Sequence, residues 1–231
     1  MTDIIKAIPP MRTGGALRQA LSVTPEYAPN IRYASAAERL IALNNLYDVY
    51  YPFEMSVQTY SKLFLALTRS LQKKTTKLAV QQRSQNYKAS HGQSYSGIVG
   101  GSDSFTIIGR SGIGKSTAIS RAISLIGGSQ IIETESPYSK IIPVLVVQCP
   151  WDSSIKGLFL SILRTIDDAL ETRYYQDAIR SHATTDLLIG MVSNACLNHI
   201  GLLIVDEVQN CVNSKNGKNL IGSLQLLLPM Q

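Results

Sequence analysis

The sequence is poor in charge and places it unevenly. Only 16% of its 231 residues are Asp, Glu, Lys or Arg, and between Met55 and Ser102 there is no acid at all. That acid-free stretch still holds Lys62, Arg69, Lys73, Lys74, Lys77, Arg83 and Lys88. Residues 1–100 carry 12 basic and 5 acidic side chains, residues 101–231 carry 10 and 11. A hydrophobic content of 45% beside so little charge excludes a chain disordered throughout and allows a sizeable core. Cysteine is scarce. Cys149, Cys196 and Cys211 show no C-x-x-C pairing and no histidine at metal-ligand spacing, which argues against a disulfide framework or a zinc module. Buried or incidental thiols in a reducing cytosol are the expectation. His91, His182 and His199 are too scattered to suggest a site. No apolar run is long enough to span a bilayer, and Met1 to Pro10 lacks a secretory h-region, so no membrane partner and a cytoplasmic location are expected.

What is present starts with Gly109-Arg110-Ser111-Gly112-Ile113-Gly114-Lys115-Ser116-Thr117, which matches G-x-x-x-x-G-K-[ST] at every fixed position. Glycines let the backbone curl so that successive N–H groups face phosphate oxygens. The Lys115 ammonium would reach the β- and γ-phosphates of ATP, and the Ser116 hydroxyl would hold Mg²⁺. The anion would sit at a helix start, where open N–H groups and the helix dipole favour negative charge. The flanks suit this. Phe105-Thr106-Ile107-Ile108 is a β-type run, and Ala118 to Ile126 has apolar residues at helical spacing before Gly127-Gly128 stops it.

A second element answers the first. Gly201-Leu202-Leu203-Ile204-Val205-Asp206-Glu207 is an apolar run ending in two carboxylates, as expected of a strand buried on both faces of a parallel sheet. Asp206 would bind Mg²⁺, directly or through water, and Glu207 would polarise an attacking water as general base.

Before these motifs the chain reads as a mainly helical leader. Ile8-Pro9-Pro10 is stiff, and Pro25 and Pro29 break the next stretch. Ser35-Ala36-Ala37-Glu38 has capping-box spacing and opens a helix through about Tyr47. A longer helix is expected from near Gln58 to Val80, with Tyr60, Leu63, Phe64, Leu67 and Leu71 on its apolar face. Polar residues 81–104 read as a connecting loop. The basic stretch is either a solvated helical face or a surface for nucleic-acid phosphates. Tyr60, Tyr87 and Tyr95 are too sparse within it for base stacking.

After the phosphate-loop helix come Ile131-Ile132 and a strand ending Val144-Leu145-Val146-Val147. Trp151-Asp152-Ser153-Ser154 then caps a helix with Ile155, Leu158, Phe159, Ile162, Leu163, Ile166 and Leu170 at core spacing. Another helix spans about Thr185 to Ile200, with Asp186 in its first turn, and a last helical stretch lies near Asn219 to Leu228. Alternating strands and helices predict a three-layer α/β phosphate-loop NTPase, with parallel strands at 105–108, 144–148 and 202–206. The domain reading is a basic N-terminal region over 1–100 and an ATP-binding core over 101–231.

No glycine signature of transporter ATPases precedes the carboxylate strand, and small-molecule kinases usually lack the Asp-Glu pair. That pair fits the AAA+ ATPases. Leu202 to Gln209, preceded by a helix and Gly201, resembles TnsC and the related TniB, AAA+ regulators of bacterial DNA transposons. The phosphate loop, the Cys149-to-Leu170 segment, the Tyr174-Tyr175 pair and Ile8-Pro9-Pro10 resemble the same group. The resemblance implies ATP binding with Mg²⁺, homo-oligomeric rings or filaments around duplex DNA, and a link from a target-selecting protein to the transposase. ATP would act as a clamp between subunits, and hydrolysis would disassemble the filament. By motif, Lys115 and Ser116 would bind phosphate and Mg²⁺, Asp206 would bind Mg²⁺, and Glu207 would drive hydrolysis. No motif fixes DNA contacts. Asp152 to Ser154, Lys156 and the basic region 62–88 are the candidates.

The chain stops 24 residues after Glu207. Further strands, a polar sensor residue, an arginine finger and a helical lid have no room there. The expectation is therefore a core truncated at its C-terminus that binds nucleotide but hydrolyses it poorly. A helicase loader and a nucleotide-binding adaptor without significant hydrolysis are the competing functional readings.

Overall fold

The computed structural model describes residues 3–74, 104–128, 130–134, 140–152, 154–208 and 210. The chain divides into two compact units, one of Met1–Ile8, Leu65–Ile107 and Gly127–Gln231, the other of Pro9–Phe64 and Ile108–Ile126. The division expected at residue 100 lies outside the described residues, and the units cut the chain elsewhere.

In the first unit, strands β1 (Ile132–Glu133), β2 (Lys140–Gln148) and β3 (Ile200–Asp206) form a sheet in that order. β1 pairs antiparallel with the start of β2, Ile132 opposite Ile141. β2 and β3 are parallel, with Ile142 opposite Ile200 and Gln148 opposite Asp206. Ile141 to Leu145 are all buried, as a strand covered on both faces requires. Phe105–Ile108, expected as a third parallel strand, belongs to no strand, and Ile108 is 91% exposed. β-type composition makes a strand only where a neighbour completes the hydrogen-bond ladder, and among the described residues this run joins no sheet.

The core of this unit lies against the sheet. Helix α6 (Ile155–Leu170) buries Leu158, Phe159, Ile162, Leu163, Ile166 and Leu170, one apolar stripe at helical spacing. Each such side chain contributes about 1.5–3 kcal/mol of transfer free energy. The Ser154 hydroxyl caps α6 by accepting the Gly157 N–H at 3.0 Å. Helix α8 (Thr185–His199) packs against α6 through Leu188, Val192 and Ala195. Between them in sequence, and touching both, comes helix α7 (Tyr174–Arg180), which the spacing of the sequence does not announce. Its start is held by a carboxylate on α6. Asp167 accepts the N–H groups of Tyr174 and Tyr175 at 2.9 and 2.8 Å and the Thr172 hydroxyl at 2.6 Å. His199, the last residue of α8, closes a polar link. Its Nδ1 lies 3.0 Å from the Lys140 carbonyl and must donate there, because a carbonyl only accepts. Its Nε2 then accepts from the Tyr174 hydroxyl at 3.0 Å.

Helix α4 (Glu54–Lys74) starts four residues before its expected position, and its described part ends at Lys74. Its C-terminal half serves the first unit, where Leu67 and Leu71 are fully buried. Lys74 donates from Nζ to the carbonyls of Cys196 and Leu197, capping the last turn of α8.

In the second unit, helix α2 (Gly14–Leu21) buries Leu17 and Leu21, and helix α5 (Lys115–Ile126) buries Ala118, Ala122 and Ile126; the two helices pack together. The Tyr60 hydroxyl accepts the Arg12 N–H at 3.0 Å. Arg18 pairs with Glu54 at 2.7 Å. Helix α3 (Ala36–Asn44) has the expected capping box. Glu38 N–H donates to the Ser35 hydroxyl, and Glu38 accepts from the Ser35 N–H and hydroxyl. A 3₁₀ turn over Asn45–Asp48 follows. The helical stretch expected at 219–228 and the loop at 81–104 fall outside the described residues, save Ser104.

Candidate nucleotide-binding site

The two parts of the candidate site fall in different units. Gly109 to Thr117 forms a tight exposed loop that turns directly into α5. Gly112 and Gly114 stand at φ 78° and 87°, the left-handed region that disfavours any side chain. A Cβ at either position would meet nothing within 4 Å, so it is the backbone conformation and not crowding that calls for glycine there. Lys115 lies half-buried across this loop. Its Nζ donates to the carbonyls of Gly109 at 2.9 Å and Arg110 at 3.0 Å, so the ammonium is held over the loop it would serve. No acidic residue stands in the first turn of α5. The Ala118 N–H donates to the Gly114 carbonyl at 2.9 Å, which ties the first turn of the helix to the loop. Arg110, Ser111, Ile113, Ser116 and Thr117 are exposed along the same loop.

At the other place, β3 delivers its carboxylates to the C-terminal end of the parallel pair. Asp206 is partly buried and sits in register with Gln148, and its carbonyl accepts the Cys149 N–H at 2.9 Å. Its carboxylate Oδ1 accepts the N–H of Glu207 at 2.9 Å. Glu207 is exposed and has φ 57°, a left-handed backbone that costs a non-glycine residue about 1–2 kcal/mol. The chain therefore turns where the strand ends.

Other expected contributors divide. Lys62, Arg69 and Lys73 are exposed, and their spacing places them on one face of α4. Lys74 is turned to helix capping instead. Lys77, Arg83 and Lys88 lie outside the described residues. Lys156 and Asp152 are exposed at the end of β2, where Asp152 accepts the Ser154 N–H. The residue that spacing alone does not single out is Trp151, the chain's one tryptophan, 89% exposed in the same turn. Among the described residues no group of three or more His, Cys, Asp or Glu is placed to hold a metal ion, and no helix is long and apolar enough to cross a membrane.

A glycine-rich loop opening a helix, in a chain that also has a mixed α/β fold with a carboxylate-ended parallel strand, defines a protein of the phosphate-loop type. Residues 101–227 match the family described as Bacterial TniB protein, and this chain belongs to that family. It is a family of ATPase-like phosphate-loop proteins associated with transposition. No curated protein matches the chain.

Proposed function

We propose that this chain is an ATP-dependent regulator of transposition that assembles on duplex DNA and links a target-selecting protein to the transposase. The observation that carries the reading is the Gly109–Thr117 loop. It is exposed, has room beside Gly112 and Gly114, is free of acid in the helix turn it starts, and is crossed by a lysine that donates to loop carbonyls. These features suit a polyphosphate. A phosphate would offer the Lys115 ammonium a charged acceptor, which makes a stronger hydrogen bond than a neutral carbonyl.

Gly109 to Thr117 would wrap the phosphates, Lys115 would neutralise them, and Ser116 would offer its hydroxyl to Mg²⁺. Asp206, by its motif, would serve Mg²⁺, and Glu207 would orient and deprotonate water. Bound Mg²⁺-ATP would supply the hydrolysable anhydride. ATP binding would favour assembly and hydrolysis disassembly. Lys62, Arg69 and Lys73 on α4, with Lys156, are the proposed phosphate contacts to DNA. In this reading residues 101–231 are the ATP-binding core and 1–100 the basic region that meets DNA or a partner.

The test is duplex-DNA binding at several salt concentrations, with a slowly hydrolysed ATP analogue and then with ADP. Binding only with the analogue, weakening steeply with salt and lost in Lys115→Ala, supports the switch. Binding indifferent to nucleotide and to Lys115→Ala would remove its mechanism.

A further inference from the structure

Residues 24–49 form a loop tied shut at its base. Val23 and Tyr50 bridge antiparallel, with N–H to carbonyl distances of 2.9 and 3.0 Å in the two directions. The base is then braced. The Tyr50 hydroxyl lies 2.7 Å from that of buried Ser56, the Arg121 guanidinium stacks on the Tyr50 ring, and Arg18 grips both the Pro52 carbonyl and Glu54. Beyond this firm root, no residue from 24 to 49 is buried. That is unusual because the loop contains α3, nine residues long. An isolated helix shorter than roughly 12–15 residues is marginal in water and draws its stability from packing. The capping box sets where α3 starts, but its large apolar residues Leu40, Ile41 and Leu43 are exposed.

Those residues are large. Tyr33, Leu40, Ile41 and Tyr47 in the loop, with Tyr51 and Phe53 just past it, are between 67% and 88% exposed. At about 150–250 Å² for a full aromatic side chain, and somewhat less for the aliphatic ones, the six present roughly 800 Å² of accessible surface. A standard stable interface takes about 800 Å² from each partner. Tyrosine is a residue enriched at binding hot spots. The charges in the loop fit neither a nucleic acid nor an anionic membrane. Glu26, Glu38 and Asp48 slightly outnumber Arg32 and Arg39. Both signs lie along one short segment, so two copies face each other without net repulsion.

We infer that residues 24–53 are a docking arm for a second copy of this chain. The arm meets its counterpart through Tyr33, Leu40, Ile41, Tyr47, Tyr51 and Phe53. The proposal rests on the reading of this chain as an assembling switch and names the surface used. The contact itself requires neither nucleotide nor DNA.

Sedimentation equilibrium of the full chain without nucleotide, over a range of concentrations, tests it. The expected result is reversible self-association in the micromolar range that the double variant Leu40→Ser/Tyr47→Ser weakens at least about tenfold. Trp151→Ser removes an equally exposed apolar side chain outside the arm and should leave association unchanged. Both substituted arm residues are exposed, so the thermal unfolding midpoint should stay put and report that the fold is intact. A chain that stays monomeric throughout, or one whose association ignores the double variant, overturns the inference. So does equal weakening by Trp151→Ser. Nucleotide binding by the double variant is measured separately. If it is normal while association is lost, the defect lies in the arm and not in the nucleotide site. If nucleotide binding is absent in the parent chain too, the ATP reading fails and the arm is judged on sedimentation alone.

Discussion

Gly201 is the second residue of β3, and the structure leaves it no room for even a methyl group. A Cβ there would lie 2.6 Å from the Pro143 carbonyl oxygen and 2.7 Å from the Leu67 Cδ1. The first neighbour is backbone of the paired strand, and the second belongs to a fully buried leucine on α4. Neither is a flexible tip. Ordinary contact begins at 3.4 Å, so Gly201→Ala asks β3 or β2 to move by about 0.8 Å within a register pinned from Ile142–Ile200 to Gln148–Asp206. Overpacking of this kind costs about 1–3 kcal/mol, and the strand ladder puts the expectation in the upper half of that range. Urea unfolding followed by circular dichroism measures it as a lower midpoint with an unchanged slope. A double-mutant cycle sharpens the test. Leu67→Ala is costly alone, but it removes one of the two clashes, so the double variant should be less destabilised than the sum of the singles. An unchanged midpoint for Gly201→Ala, or strict additivity with Leu67→Ala, would refute the packing argument.

Asp167→Ala removes the acceptor of three hydrogen bonds at the start of α7 and should destabilise the protein by about 1–3 kcal/mol in the same unfolding assay. A loss within error of zero would mean that α7 does not depend on it. Glu38 has its carboxyl held below the usual glutamate range by the Ser35 hydroxyl first and the Ser35 N–H second. A lowered folded value means that the capping box contributes fully above the ordinary glutamate range and is lost as pH falls through the lowered one. Amide chemical shifts of Ser35 and Glu38 should therefore titrate together below the ordinary range, and titration at the ordinary value would count against the box. The Cys196 residue is partly covered, yet burial of its thiol pushes its pKa up to about 12, with the Lys74 ammonium pulling weakly the other way. Since only thiolate reacts, peptide mapping after alkylation near pH 8 should find Cys196 unmodified in the folded chain and modified in urea. Stability should also decline as pH rises above about 8.5, where the unfolded thiol ionises and the folded one does not.

Much of the first unit was legible because its helices and strands bury a regular pattern. The apolar spacing from Ile155 to Leu170 delimits α6, and the run before Asp206 locates β3. Their signals are local and periodic. Three features were not legible, each for a physical reason. α7 is seven residues long and begins where Asp167, outside the helix, receives its first N–H groups, so its cause is a contact rather than a period. Phe105 to Ile108 has the residues of a strand but no ladder among the described residues, and strand propensity cannot show whether a neighbour exists. Leu40, Ile41 and Tyr47 look like core residues by composition, and only the fold shows them uncovered. In the candidate site the loop and the carboxylates were legible as motifs. The attachment of Lys115 to loop carbonyls and the left-handed turn at Glu207 were not, because both are backbone geometry.

One junction has a mechanical meaning. α8 ends at His199 and β3 begins at Ile200, with no loop between them. A loop would act as a slack coupling and absorb small movements. Here the helix is bolted to the strand, and its last turn is clamped by Lys74 from α4. Any roll or slide of α8 is delivered into the strand as strain along its axis. Asp206 lies six residues beyond Ile200, about 20 Å of stiff strand away. Lys74 at the end of α4 is thereby tied to the helix that runs straight into the carboxylate strand.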